Sequence, residues 1–316
     1  MSHCYFDIGG NGVELITDDR AIFERISRRF NCFITLERRQ GIRLCLFRVD
    51  KNPSAIIPGD AVHIRTGPDS EHYLYGKSWL IDFPGLAVMV IDREREQALG
   101  FVQPDCLEKT PWLLEAMVHP VFELLRQRGL YLAHSAAVSL GDKGALIIGK
   151  AGGGKTTLAL RLAGKDFKFL SDDRCFLRGN GPRFEMLSFP EEVRVHPGNV
   201  ADLQEFQFLL SDSDNNGCKK SFPIREVYPD SVIDHARVDV IVFPQWCPDK
   251  DSRVDVISAR EAMVEMLPQT LEFFFPNTSR VLFGFIGDLV IKVPSFRLYL
   301  GSNRERWHQL VADLIA

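Results

Sequence analysis

Gly149-Lys150-Ala151-Gly152-Gly153-Gly154-Lys155-Thr156 fits the pattern G-x-x-x-x-G-K-[ST] at every position. The apolar run Ala145-Leu146-Ile147-Ile148 before it reads as a buried strand. The residues after it, Thr156-Thr157-Leu158-Ala159-Leu160-Arg161-Leu162-Ala163, read as a helix ended by Gly164. A glycine-rich turn between a strand and a helix suits phosphate: glycines let backbone N–H groups close around its oxygens, and the helix N-terminus adds its positive end. Lys155 supplies a mobile cation, and the Thr156 hydroxyl is placed to ligate Mg²⁺. The stretch therefore predicts an α/β fold that binds ATP and Mg²⁺ through Gly149, Ala151, Gly152, Gly153, Gly154, Lys155, Thr156 and Thr157. The competing reading, a turn that binds nothing, is disfavoured by the strand and helix on either side.

Length and composition set the bounds. The chain has 316 residues, 45% hydrophobic and 25% charged, the composition of a soluble globular protein with room for one large or two ordinary domains. A formal net charge of −4 gives no general attraction to nucleic acid, and the pairs Arg28-Arg29 and Arg38-Arg39 read as solvated faces. Seven scattered cysteines without a C-x-x-C pair argue against a disulfide framework and against a zinc site. No apolar run approaches the roughly 20 residues of a membrane helix, and the N-terminus lacks a basic region followed by an apolar one. The expectation is a cytoplasmic protein with neither nucleic acid nor membrane as partner.

Before residue 110 the sequence shows strands and one helix but no catalytic pattern. Val13-Glu14-Leu15-Ile16 is strand-like, and Asp18-Asp19 precedes a helix over Ala21 to Phe30 whose Ile22, Phe23, Ile26 and Phe30 share one face. Short apolar runs at Cys32 to Leu36, Leu44 to Val49 and Ala61 to Ile64 read as strands. Trp79 to Phe83 and Leu86 to Ile91, joined through Pro84-Gly85, read as a hairpin. Residues 1–109 are thus expected to form a small α+β domain.

From Thr110-Pro111 a helix with an apolar stripe at Leu113, Met117, Val121, Leu124 and Leu125 runs to Arg128, with Gly129 as its stop. Leu130 to Leu140 then reads as a strand carrying His134, joined by Gly141-Asp142-Lys143-Gly144 to the strand that feeds the glycine loop. Beyond the loop helix, Phe167 to Leu170 is a short strand running into Ser171-Asp172-Asp173. Only 17 positions separate Lys155 from Asp172, room for one helix and one strand, so the two aspartates emerge near the phosphates. Val238 to Phe243 reads as a strand, Ala259 to Leu267 as a helix, Val290 to Leu300 as a strand with Pro294 near its middle, and Gln207 to Ser221 as a mobile loop. Two adjacent carboxylates beside a triphosphate suit two tasks, holding a metal ion and accepting a proton from an attacking hydroxyl.

The order His134-Ser135-Ala136-Ala137-Val138, then Leu146-Ile147-Ile148-Gly149 through Lys155-Thr156-Thr157-Leu158, then Phe169-Leu170-Ser171-Asp172-Asp173 resembles the catalytic core of HPr kinase/phosphorylase and its kinase relatives. Those proteins share a fold with phosphoenolpyruvate carboxykinase. The match covers about 130 to 178, with looser similarity at Arg194-Val195, Lys219-Lys220 and Val293 to Leu298. The resemblance implies a catalytic domain over 110–316 with a mixed sheet. It implies that Lys155 contacts the β and γ phosphates, that Asp172 is the base, that Thr156 and Asp173 serve the metal, and that His134 lies near the transferred phosphoryl group. Thr156-Thr157 stands where that family has Ser-Glu, and its C-terminal protein-recognition segment is not found, so HPr itself is not the implied acceptor.

The expected activity is transfer of the γ-phosphoryl group of ATP to a hydroxyl of a small molecule, peptide or protein. Lys219, Lys220 and above all Arg297, a charge in an apolar strand, are candidates to meet the γ-phosphate or an anionic acceptor. The competing readings are a nucleotide-dependent ATPase or switch, in which the aspartates position water, and a nucleotide-binding subunit whose partner does the chemistry. A guanine-reading Asn-Lys-x-Asp element is absent. Oligomerisation is left open.

Overall fold

The computed structural model of the chain describes residues 1–104, 106, 110, 112–189, 192–210, 218–270 and 276–316. These divide into two compact units, Met1–Arg128 and Gly129–Ala316. The sequence placed the boundary at 109/110. The helix Trp112–Gln127 instead belongs with the first unit, and Pro111 of its expected start lies outside the described residues.

The first unit is larger in β-structure than its sequence suggested. It holds β1 (Ser2–Ile8), β2 (Asn11–Thr17), α1 (Arg20–Arg29), β3 (Ile34–Thr35), β4 (Gly41–Arg48), β5 (Val62–Thr66), β6 (Glu71–Tyr75), β7 (Ser78–Phe83), β8 (Ala87–Asp92), β9 (Gln97–Val102) and α2 (Trp112–Gln127). The nine strands form one sheet in the order β3-β1-β2-β4-β9-β8-β7-β6-β5, with β2, β4 and β9 parallel and the remaining pairs antiparallel. The Asp19 carboxylate accepts from the Ile22 backbone N–H at 2.9 Å and caps α1. Ile22, Ile26 and Phe30 are buried as their spacing predicts, whereas Phe23 is only partly covered. The segment Cys32 to Leu36 yields only a two-residue strand, and Leu36 is fully exposed.

The second unit contains β10 (Tyr131–Leu140), β11 (Lys143–Ile148), α3 (Lys155–Ala163), β12 (Lys168–Ser171), β13 (Arg174–Asn180), β14 (Arg183–Ser188), β15 (Val193–Val195), β16 (Lys220–Phe222), α4 (Ile224–Val227), β17 (His235–Arg237), β18 (Val240–Trp246), β19 (Arg253–Val256), α5 (Ala259–Met266), α6 (Pro276–Lys292), β20 (Ser295–Leu300) and α7 (Glu305–Ile315). Its main sheet runs β17-β14-β13-β10-β11-β18-β20-β19, with β12 also paired to β10. β11, β18 and β20 are parallel neighbours, and the rest pair antiparallel. A mixed sheet follows from this, as the resemblance implied.

Two apolar layers cover the faces of that sheet. On one, Leu158, Leu160 and Leu162 of α3 pack with Trp307 and Val311 of α7 on Ala136, Val138, Ile147 and Val242. On the other, Ala262 and Met266 of α5 and Leu282, Ile286 and Leu289 of α6 pack on Leu146, Ile148, Ile241 and Phe243. Truncating any of these fully buried leucines to alanine would cost about 2–5 kcal/mol, so each layer holds its helix firmly to the strands.

Val290 to Leu300 is not one strand: Val290 lies in α6, and β20 begins only at Ser295. Pro294 cannot donate to a ladder and sits at the junction, where its carbonyl accepts from Ile241 N–H at 2.9 Å. The expected loop Gln207 to Ser221 holds regular structure at both of its ends. Gln204–Leu210 forms 3-10 turns and Lys220–Phe222 a strand paired with Val193–Val195, and residues 211–217 lie outside the described residues.

Candidate functional site

The glycine loop lies between the C-terminal end of β11 and the first turn of α3, as its flanks predicted. Gly152 and Gly154 have φ of 78° and 97°, a region from which a Cβ atom is largely excluded. Gly154 is also the N-cap of α3, and a Cβ there would lie 2.8 Å from Leu300 Cδ1. Gly153 N–H donates back to the Lys150 carbonyl at 3.1 Å, closing the turn. Thr156 and Thr157 stand in the first turn of α3 with partly buried side chains.

Lys155 is folded into this loop. Its Nζ donates to the Gly149 carbonyl at 2.6 Å and to the Lys150 carbonyl at 3.3 Å, and the residue is only 6% exposed. Burial pushes the ammonium down from its ordinary value; Asp173 draws it up, Lys219 pushes it down further and Asp172 draws it up. The charges of Asp173, Lys219 and Asp172 thus all bear on the loop lysine.

β12 and β13 run as one line against β10, with Asp172-Asp173 as the bend between them. Ala137 pairs with Ser171, His134 pairs with Arg174, and Ser135 N–H donates to the Asp173 carbonyl at 3.0 Å between those pairs. The aspartates are thus on the second strand from β11, with β10 between, and not on the strand beside the loop. That bend places Asp173 against His134. The His134 Nδ1 lies 2.9 Å from the Asp173 carbonyl oxygen and 3.1 Å from its Oδ1, and Arg174 Nε is 3.5 Å from Oδ2. The hydrogen bond from His134 holds the Asp173 carboxyl below the usual carboxylate range, burial opposes it, and the charges of His134, Arg174 and Lys155 assist. With two oxygen acceptors around it, Nδ1 is the donating nitrogen of the ring. Asp172 is buried, at 6% exposure. Beneath the bend, Cys175 is fully buried and its thiol is pushed up to about 12 by desolvation, so it is an inert core group.

Arg297 is not brought to the aspartates. It pairs in register with Phe243 of β18, Phe243 lies one step beyond the Ile147 and Val242 pair, Ile148 pairs with Ser135, and Ser135 bonds to Asp173. These residues form one row across the sheet, so Arg297 and Asp173 are separated by four strand spacings, roughly 19 Å. Its guanidinium is instead ion-paired with Glu265 of α5.

Arg297 and Glu265 belong to a cleft of about 630 Å³ on the β18 and β20 side of the loop. The cleft is bounded by Gly149 to Gly153, by Pro244, Gln245 and Trp246 at the end of β18, and by Val264, Pro268 and Gln269 beyond. It opens outside the carboxyl ends of the parallel strands, the usual place for a ligand in such sheets. Sequence reading did not find it, because Trp246, Val264 and Gln269 form no motif and meet only through strand order.

The fold and the loop define a mixed α/β protein consistent with nucleotide binding. No family model matches the chain, and no curated protein matches it. Among solved structures, it is similar to the Hpr(Ser) kinase/phosphatase from Coxiella burnetii at a TM-score of 0.33 and 11% identity, over 58% of this chain and 94% of that one. No helix among the described residues is long and apolar enough to cross a membrane.

Proposed function

We propose that the second unit is an ATP-dependent kinase that transfers the γ-phosphoryl group to a hydroxyl of a small molecule, peptide or protein. The observation that carries this reading is the Asp172-Asp173 bend, tied to β10 through Ser135 and His134 one strand from the β11 end that feeds the loop, with both carboxylates acting on the charge of Lys155. A glycine loop alone would support nucleotide binding, whereas two carboxylates within reach of the loop lysine supply groups for chemistry at the terminal phosphate.

In this reading the loop N–H groups and the N-terminus of α3 hold the phosphates, and Lys155 leaves its carbonyl partners to meet the β and γ oxygens. Asp172 accepts the proton of the acceptor hydroxyl as its oxygen attacks the γ phosphorus, the bond to the β-bridging oxygen breaks, and ADP departs. His134 orients Asp173 through the two contacts described above. Thr156 and Asp173 are the residues that would hold Mg²⁺. Among the described residues no group of three or more His, Cys, Asp or Glu could form a metal cage. One hydroxyl and one carboxylate nevertheless suit an ion that takes its remaining ligands from phosphate and water. When bound, Mg²⁺ supplies charge neutralisation at the bridging and terminal oxygens. Lys219, electrostatically coupled to Lys155, is the basic residue that best fits the phosphate side.

The proposed setting is the cytoplasm, which provides ATP and reduced thiols. Among the described residues, which include all seven cysteines, no disulfide forms. The test is direct: purified protein incubated with γ-labelled ATP, Mg²⁺ and pools of hydroxyl-bearing metabolites, peptides or proteins should label an acceptor. If ATP is hydrolysed at the same rate with and without every pool and no acceptor is labelled, the switch or ATPase reading takes its place.

A further inference from the structure

The loop has two flanks, and they are chemically unlike. On the β10 and β12 flank stand Asp172, Asp173 and His134, where an acceptor hydroxyl has to approach. On the β18 and β20 flank lies the 630 Å³ cleft, in which neither aspartate takes part. A triphosphate laid along Gly149 to Gly153 with its terminal phosphate toward the aspartates directs its other end into that cleft.

The walls of the cleft match what that end carries. Trp246 is 45% exposed, yet its ring is braced edge-on against the buried Trp307, with centroids 5.9 Å apart at 89°. Trp307 is fixed in turn by donation from its Nε1 to the Gly301 carbonyl at 3.2 Å. One indole is therefore presented to solvent on a rigid support. Val264 and Pro268 add apolar surface, while Gln245 and Gln269 bring amide donors and acceptors. Flat apolar walls with amides at the edge suit a heteroaromatic ring, and the volume falls within the roughly 300–1,000 Å³ of small-ligand pockets.

We propose that this cleft is the nucleoside subsite: a purine base stacks on Trp246 with its edge toward Gln245 and Gln269, and the ribose and α-phosphate lie beside the Arg297–Glu265 pair. Arg297 then serves the proximal end of the nucleotide and not the reacting phosphoryl group. This rests on the reading of Gly149 to Thr156 as a triphosphate loop.

Calorimetric titration of the full chain with ATP and, separately, with inorganic tripolyphosphate tests it. Trp246→Ala and Val264→Trp are the variants, the second filling the cleft from an exposed helix position if loss of the indole disturbs Trp307. The expected result is about tenfold or greater weakening for ATP in both variants, as base stacking predicts, with tripolyphosphate affinity unchanged. Folded variants that bind ATP as the parent does would overturn the subsite while leaving the loop assignment standing. A parent that binds neither probe would overturn the loop assignment and the subsite with it.

Discussion

His134 Nδ1 lies 2.9 Å from the main-chain oxygen of Asp173 and 3.1 Å from its carboxylate, so one imidazole fixes both ends of a single aspartate at the bend between β12 and β13. His134→Ala removes the hydrogen bond that most lowers the Asp173 carboxyl. A depressed carboxylate contributes stability that is present above its unfolded value, near 3.9, and is lost as pH falls through the lower folded value. The variant should therefore titrate Asp173 at higher pH, be less stable than the parent above about pH 4, and lose less stability across the acid window. Carboxyl NMR of metal-free protein reads it, and an Asp173 titration identical to the parent's would show that the pairing does not hold in solution.

Lys155→Ala should remove detectable nucleotide turnover, a loss of roughly 10²–10³-fold or more, while leaving the fold intact. Among the described residues Nζ donates to two carbonyls of its own loop, Gly149 and Lys150, so its removal leaves the packing of other elements untouched. Circular dichroism together with turnover decides it: a folded variant with the parent's rate would exclude the phosphate-loop assignment.

Gly152 and Gly154 both have positive φ, yet they differ in surroundings: nothing lies within 4 Å of a Cβ built at Gly152, whereas one at Gly154 meets Leu300 Cδ1. Leu300 is fully buried and has little room to give. Gly152→Ala should cost about 1 kcal/mol of strain and Gly154→Ala about 2–3 kcal/mol. Denaturant midpoints of the two variants test this, and equal losses would contradict the packing of the loop on Leu300.

In the first unit, Trp79 Nε1–H donates to His72 Nδ1 at 3.1 Å, and the buried His72 is pushed down to about 4, chiefly by desolvation and then by the charge of Arg65. A proton at Nδ1 would face the indole N–H, so the folded state resists protonation that the unfolded chain accepts near 6.5. The unfolded state binds the proton first, and stability should fall between about pH 6.5 and 4, by on the order of 2–3 kcal/mol. His72→Gln should flatten that part of the melting profile. A profile unchanged by the substitution would place the acid sensitivity elsewhere.

What could be read from the sequence was whatever is encoded locally. The loop, the strand before it and the helix after it are defined by consecutive residues, and Asp19, Ser258 and Glu261 announce helix starts by their own side chains. The His134 and Asp173 contact joins residues 39 apart, and it came within reach only because each belongs to a short pattern. β1, β6 and β9 were missed because their alternation is weak: Ser2–Ile8 buries only Phe6 and Ile8. The end of α6 was misread because Val290, Ile291 and Val293 lead directly into Phe296, Leu298 and Leu300, and so short an apolar run does not show whether its period is helical or extended. The cleft depends on strand order, which no stretch of sequence states.

Substitution of Asp172 distinguishes a proton acceptor from a metal-holding group. Its carboxylate is buried and acts electrostatically on Lys155, a position suited to a base in a water-poor site or to a group that helps hold the metal. If it is the base, Asp172→Asn keeps the shape and most of the ATP affinity, while phosphoryl transfer falls by roughly 10²-fold or more, because positioned proton acceptance is lost. If it chiefly serves Mg²⁺, the same change weakens Mg·ATP binding, and added Mg²⁺ restores much of the activity. Two titrations on the purified variant distinguish these, one of ATP-analogue binding and one of transfer against Mg²⁺ concentration. A flat loss of transfer at every Mg²⁺ level with binding intact identifies the base. Parent-like binding and transfer throughout would remove Asp172 from the mechanism and move the proton acceptor to Asp173.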